Sequence, residues 1–195
     1  MVGFRRERST SVKLISTIAC TTAAVGTSLI LPTMASATDV HCAADSGTDV
    51  TVIDGRTACR AVAETHGRAR AAGYDGVGYA HAARGAAALG IGAAGGVGAS
   101  DGVGGIPIAF GFGTDAIALT TIGTATTDSE TGPPQAATPL FAVSVAFEGS
   151  RAQVATADSS VVCLGTAAFA WNSATGTTCL TTPFGRWQTP RSELG

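Results

Sequence analysis

Glycine flanked by two apolar residues recurs through the middle of this chain, and it restricts the fold more than any other feature. Val77-Gly78-Tyr79, Leu89-Gly90-Ile91, Val97-Gly98-Ala99 and Phe110-Gly111-Phe112 repeat the unit 12, 8 and 13 residues apart. Successive side chains of a strand point to opposite faces, so each unit sets an apolar pair on one face and bare backbone on the other. One interior glycine weakens a strand, whereas a row of them marks the close approach of a second backbone. Residues 67–123 are therefore expected to form a short glycine- and alanine-rich β-solenoid or β-roll-like region in an all-β chain. Gly78, Gly90, Gly98 and Gly111 are expected to abut another backbone layer, within the chain or across a homo-oligomer.

Residues 1–37 read as an export signal. Arg5, Arg6, Arg8 and Lys13 make a basic start, Leu14 to Leu31 is the apolar stretch, and Ala35-Ser36-Ala37 supplies the small residues of a cleavage site. The mature chain is expected to begin at Thr38. An uncleaved anchor is the competing reading, because the stretch approaches the length that spans a bilayer; its many Ser and Thr residues weigh against it. Glu7-Arg8 after Arg5-Arg6 does not suit the twin-arginine route, and Thr17-Ile18-Ala19 before Cys20 is a poor lipobox. The remaining 158 residues (195 − 37) carry eight Arg and no Lys against thirteen Asp and Glu, a net of −5. That balance argues against nucleic acid and, after cleavage, against an anionic membrane surface. The length suits one mature domain, 38–195, secreted to the extracellular space or the cell wall.

Four cysteines remain after cleavage: Cys42, Cys59, Cys163 and Cys179. An even number in an exported chain favours two disulfides. Zinc is the alternative, but no Cys-x-x-Cys occurs and no histidine lies beside the second pair. Of the connectivities open to four cysteines, local pairing is expected, Cys42 with Cys59 and Cys163 with Cys179. Each closes a hairpin-sized loop worth about 3 kcal/mol on a chain-entropy estimate.

Around the glycine-rich region the texture changes. Within 38–66, Asp49-Val50-Thr51-Val52-Ile53 runs into Asp54-Gly55, a two-residue hairpin signal with both turn positions at positive φ. The stretch "TATTDSETGPPQAATP", residues 124–139, reads as a long exposed loop. Beyond it, within 140–195, strands are expected at Leu140 to Phe147, Ala152 to Thr156, Val161 to Leu164 and Ala167 to Trp171, with a turn at Glu148-Gly149-Ser150. Together they read as an antiparallel meander. Phe169 and Trp171 alternate with Ala168 and Ala170 and are expected to face the core; Trp171 and Trp187 are read as packing residues rather than ligand contacts.

Two catalytic motifs overlap in "LGIGAAGGVGASDG". Gly90-x-Gly92-x-x-Gly95 matches the dinucleotide fingerprint, which requires a helix to hold the pyrophosphate. Gly96, Gly98, Gly102, Gly104, Gly105 and Pro107 follow, and at about 1 kcal/mol per helical glycine and about 3 for proline no helix starts there. Asp115, at the ribose-acid spacing, is then accidental. Gly98-x-Ser100-x-Gly102 matches the nucleophile elbow, which also needs a following helix and a histidine after the serine. His41, His66 and His81 all precede Ser100, which reads as a loop residue. Gly95 to Asp101 approaches a calcium-binding nonapeptide with its aspartate one place late, and it does not recur. No cofactor and no metal are implied.

"GYDGVGYA", "AAALGIGAAGGVGA" and "SRAQV…VVCLGTAAFAWN…CLTTPFGRW" together resemble a family of small exported actinobacterial proteins of uncharacterised function. The resemblance spans nearly the whole mature chain and brings no activity or site residues. The Gly-Ala texture of the middle is similar to the β-roll heads of trimeric autotransporter adhesins, without their stalk or membrane anchor. The expected function is that of a secreted or envelope-associated non-catalytic protein, an interaction module whose partner is another copy or an envelope component. One alternative is a hydrolase using His66 or His81 with Asp75, Asp101 or Ser100. Another is a carrier with an apolar pocket between the glycine-rich layer and the meander. A histidine within hydrogen-bond reach of a carboxylate or Ser100 in a cleft separates the hydrolase from the rest.

Overall fold

The computed structural model describes residues 38–114, 116–123, 140–156 and 159–189. Residues 1–37, read from the sequence as an export signal, residues 124–139, read as a loop, and Asp115, residues 157–158 and 190–195 fall outside the described residues. Every regular element within them is a strand. The first nine are β1 (Asp39–Asp45), β2 (Thr48–Asp54), β3 (Thr57–Ala63), β4 (Arg68–Tyr74), β5 (Val77–Ala83), β6 (Ala87–Ala93), β7 (Val97–Val103), β8 (Ile106–Phe112) and β9 (Ile117–Ile122). After the 124–139 segment come β10 (Phe141–Phe147), β11 (Arg151–Ala155), β12 (Ser160–Leu164), β13 (Ala168–Asn172), β14 (Thr177–Thr182) and β15 (Gly185–Gln188).

The strands form two sheets, ordered β1-β4-β6-β8-β10-β13-β14-β15 and β12-β11-β9-β7-β5-β3-β2. From β3 to β11 the chain alternates between them, and same-sheet neighbours run parallel. This is a two-sheet β-solenoid of about three turns. Gly78 pairs with Gly98, 20 positions on, and Arg70 with Leu89, 19 positions on. The corners are tight because consecutive residues turn left-handed, Arg84 (φ 49°) with Gly85 (φ 82°) and Ala94 (φ 51°) with Gly95 (φ 82°). Backbone bonds carry the ladder across them, as where Val77 N–H donates to Gly96 O at 3.0 Å and Val97 N–H to Ala116 O at 2.7 Å. Antiparallel strands close both ends: β1 and β2 pair with β4 and β3, and β13 and β12 pair with β10 and β11.

Disulfides join Cys42 to Cys59 and Cys163 to Cys179, the local pairing expected from the sequence. Their loops do more than close hairpins. Cys42 and Cys179 lie in the eight-stranded sheet, Cys59 and Cys163 in the other, so each bridge staples one sheet to the other near one end of the stack. One inward row of the first sheet runs from Cys42 through Ala71, Gly90, Ala109, Ser144 and Ala170 to Cys179. Its counterpart runs from Cys59 through Gly78, Gly98, Ala118 and Ala152 to Cys163. The bridged Cα atoms are 5.7 and 5.8 Å apart, whereas facing sheets ordinarily stand about 10 Å apart.

That spacing dictates what fits inside. The buried layer is mostly alanine, in one group from β1 to β6 and another from β8 to β14, and glycines occupy the closest approach between them. A Cβ on Gly78, Gly90, Gly98 or Gly111 would meet the carbonyl of Ala72, Tyr79, Ile91 or Val97 on the facing sheet. The expected backbone contact at these four positions is therefore present within one chain.

Three expectations are corrected. Phe169 and Trp171 face outward, and Ala168 (3% exposed) and Ala170 (0%) fill the interior, because beside the Cys163–Cys179 bridge, whose Cα atoms are 5.8 Å apart, the gap admits a methyl group and no ring. β10 and β11 continue the parallel solenoid, so antiparallel pairing starts only at β12 and β13. The first hairpin turns on Gly55-Arg56, with Asp54 paired to Thr57 and only Gly55 at positive φ (58°).

Candidate interaction face

Strand alternation with small residues inward leaves the large apolar residues outward, and parallel register stacks them. On the eight-stranded sheet one outward row is Leu89, Ile108, Val143 and Trp171. The next is Ile91, Phe110, Val145, Phe169, Leu180 and Trp187. A third brings Phe112 beside Phe147, ring centroids 5.3 Å apart at 15°, with Phe110 stacked on Phe112 at 6.1 Å. Phe147, Leu180 and Trp187 are 44%, 41% and 54% exposed, so Trp187, expected from the sequence to be a packing residue, stands on the surface of the edge strand β15. No outward position of β6, β8, β10, β13 or β14 carries a charge.

Charges appear only at the margins. On β4 and β1, Arg70 Nη2 reaches Asp45 Oδ1 at 3.2 Å, Arg70 Nη1 donates to Ala44 O at 3.1 Å, and His41 Nε2 lies 3.7 Å from Asp39. Arg186 stands on the opposite margin, on β15. Between Phe169, Thr178, Leu180, Trp187, Gln188 and Thr189 the surface dips into a depression of about 430 Å³.

The outer face of the seven-stranded sheet is mixed in character. Arg60 donates to Asp49 at 2.8 Å, which raises the guanidinium pKa and lowers that of the carboxyl. Register sets His81 beside Asp101. His81 Nδ1 lies 3.2 Å from Asp101 Oδ1, and Nε2 lies 3.4 Å from Glu64 Oε1. Partial burial, the largest single influence on the imidazole, pushes its pKa down. The hydrogen bonds and charges of Asp101 and then Glu64 together outweigh it and leave the pKa raised. Burial foremost, then the Asp101 charge, raises the Tyr79 hydroxyl.

The residues of the hydrolase reading are not brought together. Ser100 is not the loop residue expected from the sequence: it lies in β7, fully buried on the inner face where strand alternation turns the small side chains, its hydroxyl without a partner, whereas His81 points outward from the next strand. His66 (φ 60°) sits in the bend after β3, where its backbone N–H donates to Ser46 Oγ at 2.9 Å. Asp75 (φ 50°) lies at the corner after β4, 3.8 Å from Arg56. His41 packs edge-on against Tyr74. Of the expected pairings, only His81 with Asp101 forms.

Gly90 and Gly92 of the dinucleotide fingerprint lie in β6, and strand β7 follows them. The zinc alternative is overturned, since all four cysteines are disulfide-bonded. Among the described residues no group of three or more His, Cys, Asp or Glu is arranged to hold a metal ion. The space a carrier would need between glycine-rich layer and meander is taken up by alanine, glycine and the disulfides.

Sequence reasoning missed the outward rows themselves. The signal was present, since any strand whose glycines face a backbone must turn its large residues away from it. Two stapled sheets, small residues within and stacked aromatics without, place this protein among the β-solenoids. A model of a family of unknown function (DUF6764) matches residues 6–182, and the chain belongs to that family. No curated protein and no solved structure matches it.

Proposed function

We propose that the chain is an exported, non-catalytic interaction module of the extracellular space or cell wall that works through the outer face of its eight-stranded sheet. The observation that carries this reading is the uncharged run of outward positions from β6 to β14, stacked with Phe, Ile, Val, Leu and Trp. Contiguous exposed apolar surface of this extent marks interaction sites on soluble proteins. Two disulfides suit an oxidising compartment. The pattern of residues 1–37 supports export, and an N terminus at Thr38 in the secreted form tests that half.

The face is tested with an anilinonaphthalene dye added to dilute, oxidised protein. Wild type binds the dye, Phe169→Glu and Trp187→Ser each weaken it, and cooperative melting shows that the fold is intact. Absence of dye binding by folded, monomeric wild type contradicts the reading. A secreted hydrolase is the second reading, supported by the His81–Asp101 contact at 3.2 Å. Turnover of a model ester that disappears in His81→Ala would favour it.

A further inference from the structure

We infer that the occupant of the apolar face is a second copy of this chain, packed sheet against sheet about a two-fold axis. This rests on the proposed use of that face and names its partner. Strands spaced about 4.8 Å with about 3.3 Å per residue give the five uncharged strands, five to seven residues long, a footprint of roughly 510 Å². Adding β4 and the four-residue β15 brings it to about 680 Å², within the range of roughly 600–1,000 Å² per partner that a standard specific interface buries. The face is thus the size of a whole interface.

The margins and interior point the same way. An acidic membrane surface would call for a basic cluster of about four to eight cations. At the margins Arg70 is bonded to Asp45 and His41 faces Asp39, which leaves Arg68 and Arg186, on opposite edges, as the marginal cations without a carboxylate partner among the described residues, too few for such a cluster. Inside one chain the buried layer is mostly alanine, and Ile122 and Val154 are its largest fully buried side chains. The Phe side chains of the described strands, and most of their Ile and Val side chains, which ordinarily fill the space between two sheets, are outside. Two such faces, stacked at the usual spacing of about 10 Å, interdigitate into a sandwich core. A two-fold axis near Phe110 and Val145, neighbours on the central strands β8 and β10, presents the same patch from both copies.

Sedimentation velocity over a dilution series from submicromolar to high micromolar, run with the same dye, tests this. Wild type is expected to dimerise, with dye binding falling as the dimer forms. Phe110→Glu and Phe169→Glu lie on separate strands and introduce an unpaired charge from each copy. Either is expected to weaken association about 100-fold or more. Leu119→Glu, outward on the other sheet and 39% exposed in wild type, is expected to leave it unchanged. A disulfide map and a melt establish that each variant folds, and the wild-type series decides without them.

Wild type that stays monomeric throughout overturns the inference. If it nevertheless binds dye, the interaction-face reading stands and only its partner was wrong; if it binds none, both fall. Association that survives Phe110→Glu and Phe169→Glu but not Leu119→Glu overturns the assignment of the face.

Discussion

Gly90→Val isolates the spacing between the sheets. A Cβ on Gly90 would meet the Tyr79 carbonyl, 2.7 Å from its carbon, and lie 2.9 Å from Gly98 O, inside the 3.0 Å that real Cβ atoms essentially never breach. Both neighbours are backbone, so no side chain can swing aside, and the nearer stapled bridge resists separation of the sheets. Valine raises strand propensity, and on an open strand it would stabilise. Overpacking ordinarily costs about 1–3 kcal/mol, and with backbone as the obstacle a loss of about 3 kcal/mol or more is expected. For a chain of this size that lowers the melting temperature by about 6–12 °C. The assay is a non-reducing thermal melt of wild type, Gly90→Val, Gly111→Val and Gly123→Ala. Gly111 faces Val97 in the same way, whereas a Cβ on Gly123 meets nothing within 4 Å, so the last variant should match wild type. Unchanged or raised melting temperatures at Gly90 and Gly111 would refute the reasoning.

Replacing Cys163 and Cys179 together by serine should cost about 3 kcal/mol in denaturant unfolding, the value for a loop of this size, and a loss below 1 kcal/mol would show that the staple is dispensable. Ser100→Ala removes a buried hydroxyl that has no partner and should raise stability by about 1 kcal/mol; destabilisation would mean that the hydroxyl is satisfied. The raised pKa of His81 means that its charged form stabilises the fold fully below the unfolded value of about 6.5 and that this contribution disappears as pH climbs through the higher folded-state value. The stability of wild type relative to His81→Gln should therefore fall as pH rises from about 6.5, and an NMR midpoint for His81 at or below that value would contradict the contacts with Asp101 and Glu64.

Features that depend on neighbours in sequence were legible. The cysteine pairing followed from spacing, and the hairpin at Asp54-Gly55 was displaced by one residue because only Gly55 takes positive φ. The glycine units were legible as strands pressed on a backbone. Their spacings of 12, 8 and 13 conceal the turn length, because consecutive units belong to alternate sheets; Gly78 and Gly98, two units apart, are the stacked pair. The same concealed turn length aligns His81 with Asp101; the sequence offered that pair only as one among His66 or His81 with Asp75, Asp101 or Ser100, and neither the choice nor its position on an open face was legible. Which face of a strand is the inside was not legible at Phe169 and Trp171. Alternation defines two faces, and only the distance to the other sheet decides between them. That distance is set by Cys163–Cys179 and by glycines far away in the chain. The continuation of the parallel ladder through β10 and β11 was hidden for the same reason, since their partners β8 and β9 lie beyond the 124–139 segment.

The inside-out arrangement is tested most directly by two adjacent residues of β8, Ala109 on the inner face and Phe110 on the outer. Each is replaced by aspartate, and unfolding is measured on the oxidised protein at submicromolar concentration, where association does not contribute. Ala109→Asp forces a charge into a layer that is 0% exposed and should cost more than about 4 kcal/mol or prevent folding. Phe110→Asp should fold with its disulfides intact and melt within a few degrees of wild type. The reverse order, with Phe110→Asp the ruinous change and Ala109→Asp tolerated, is what an ordinary sandwich with its aromatics inside would give, and it would contradict the structure described here.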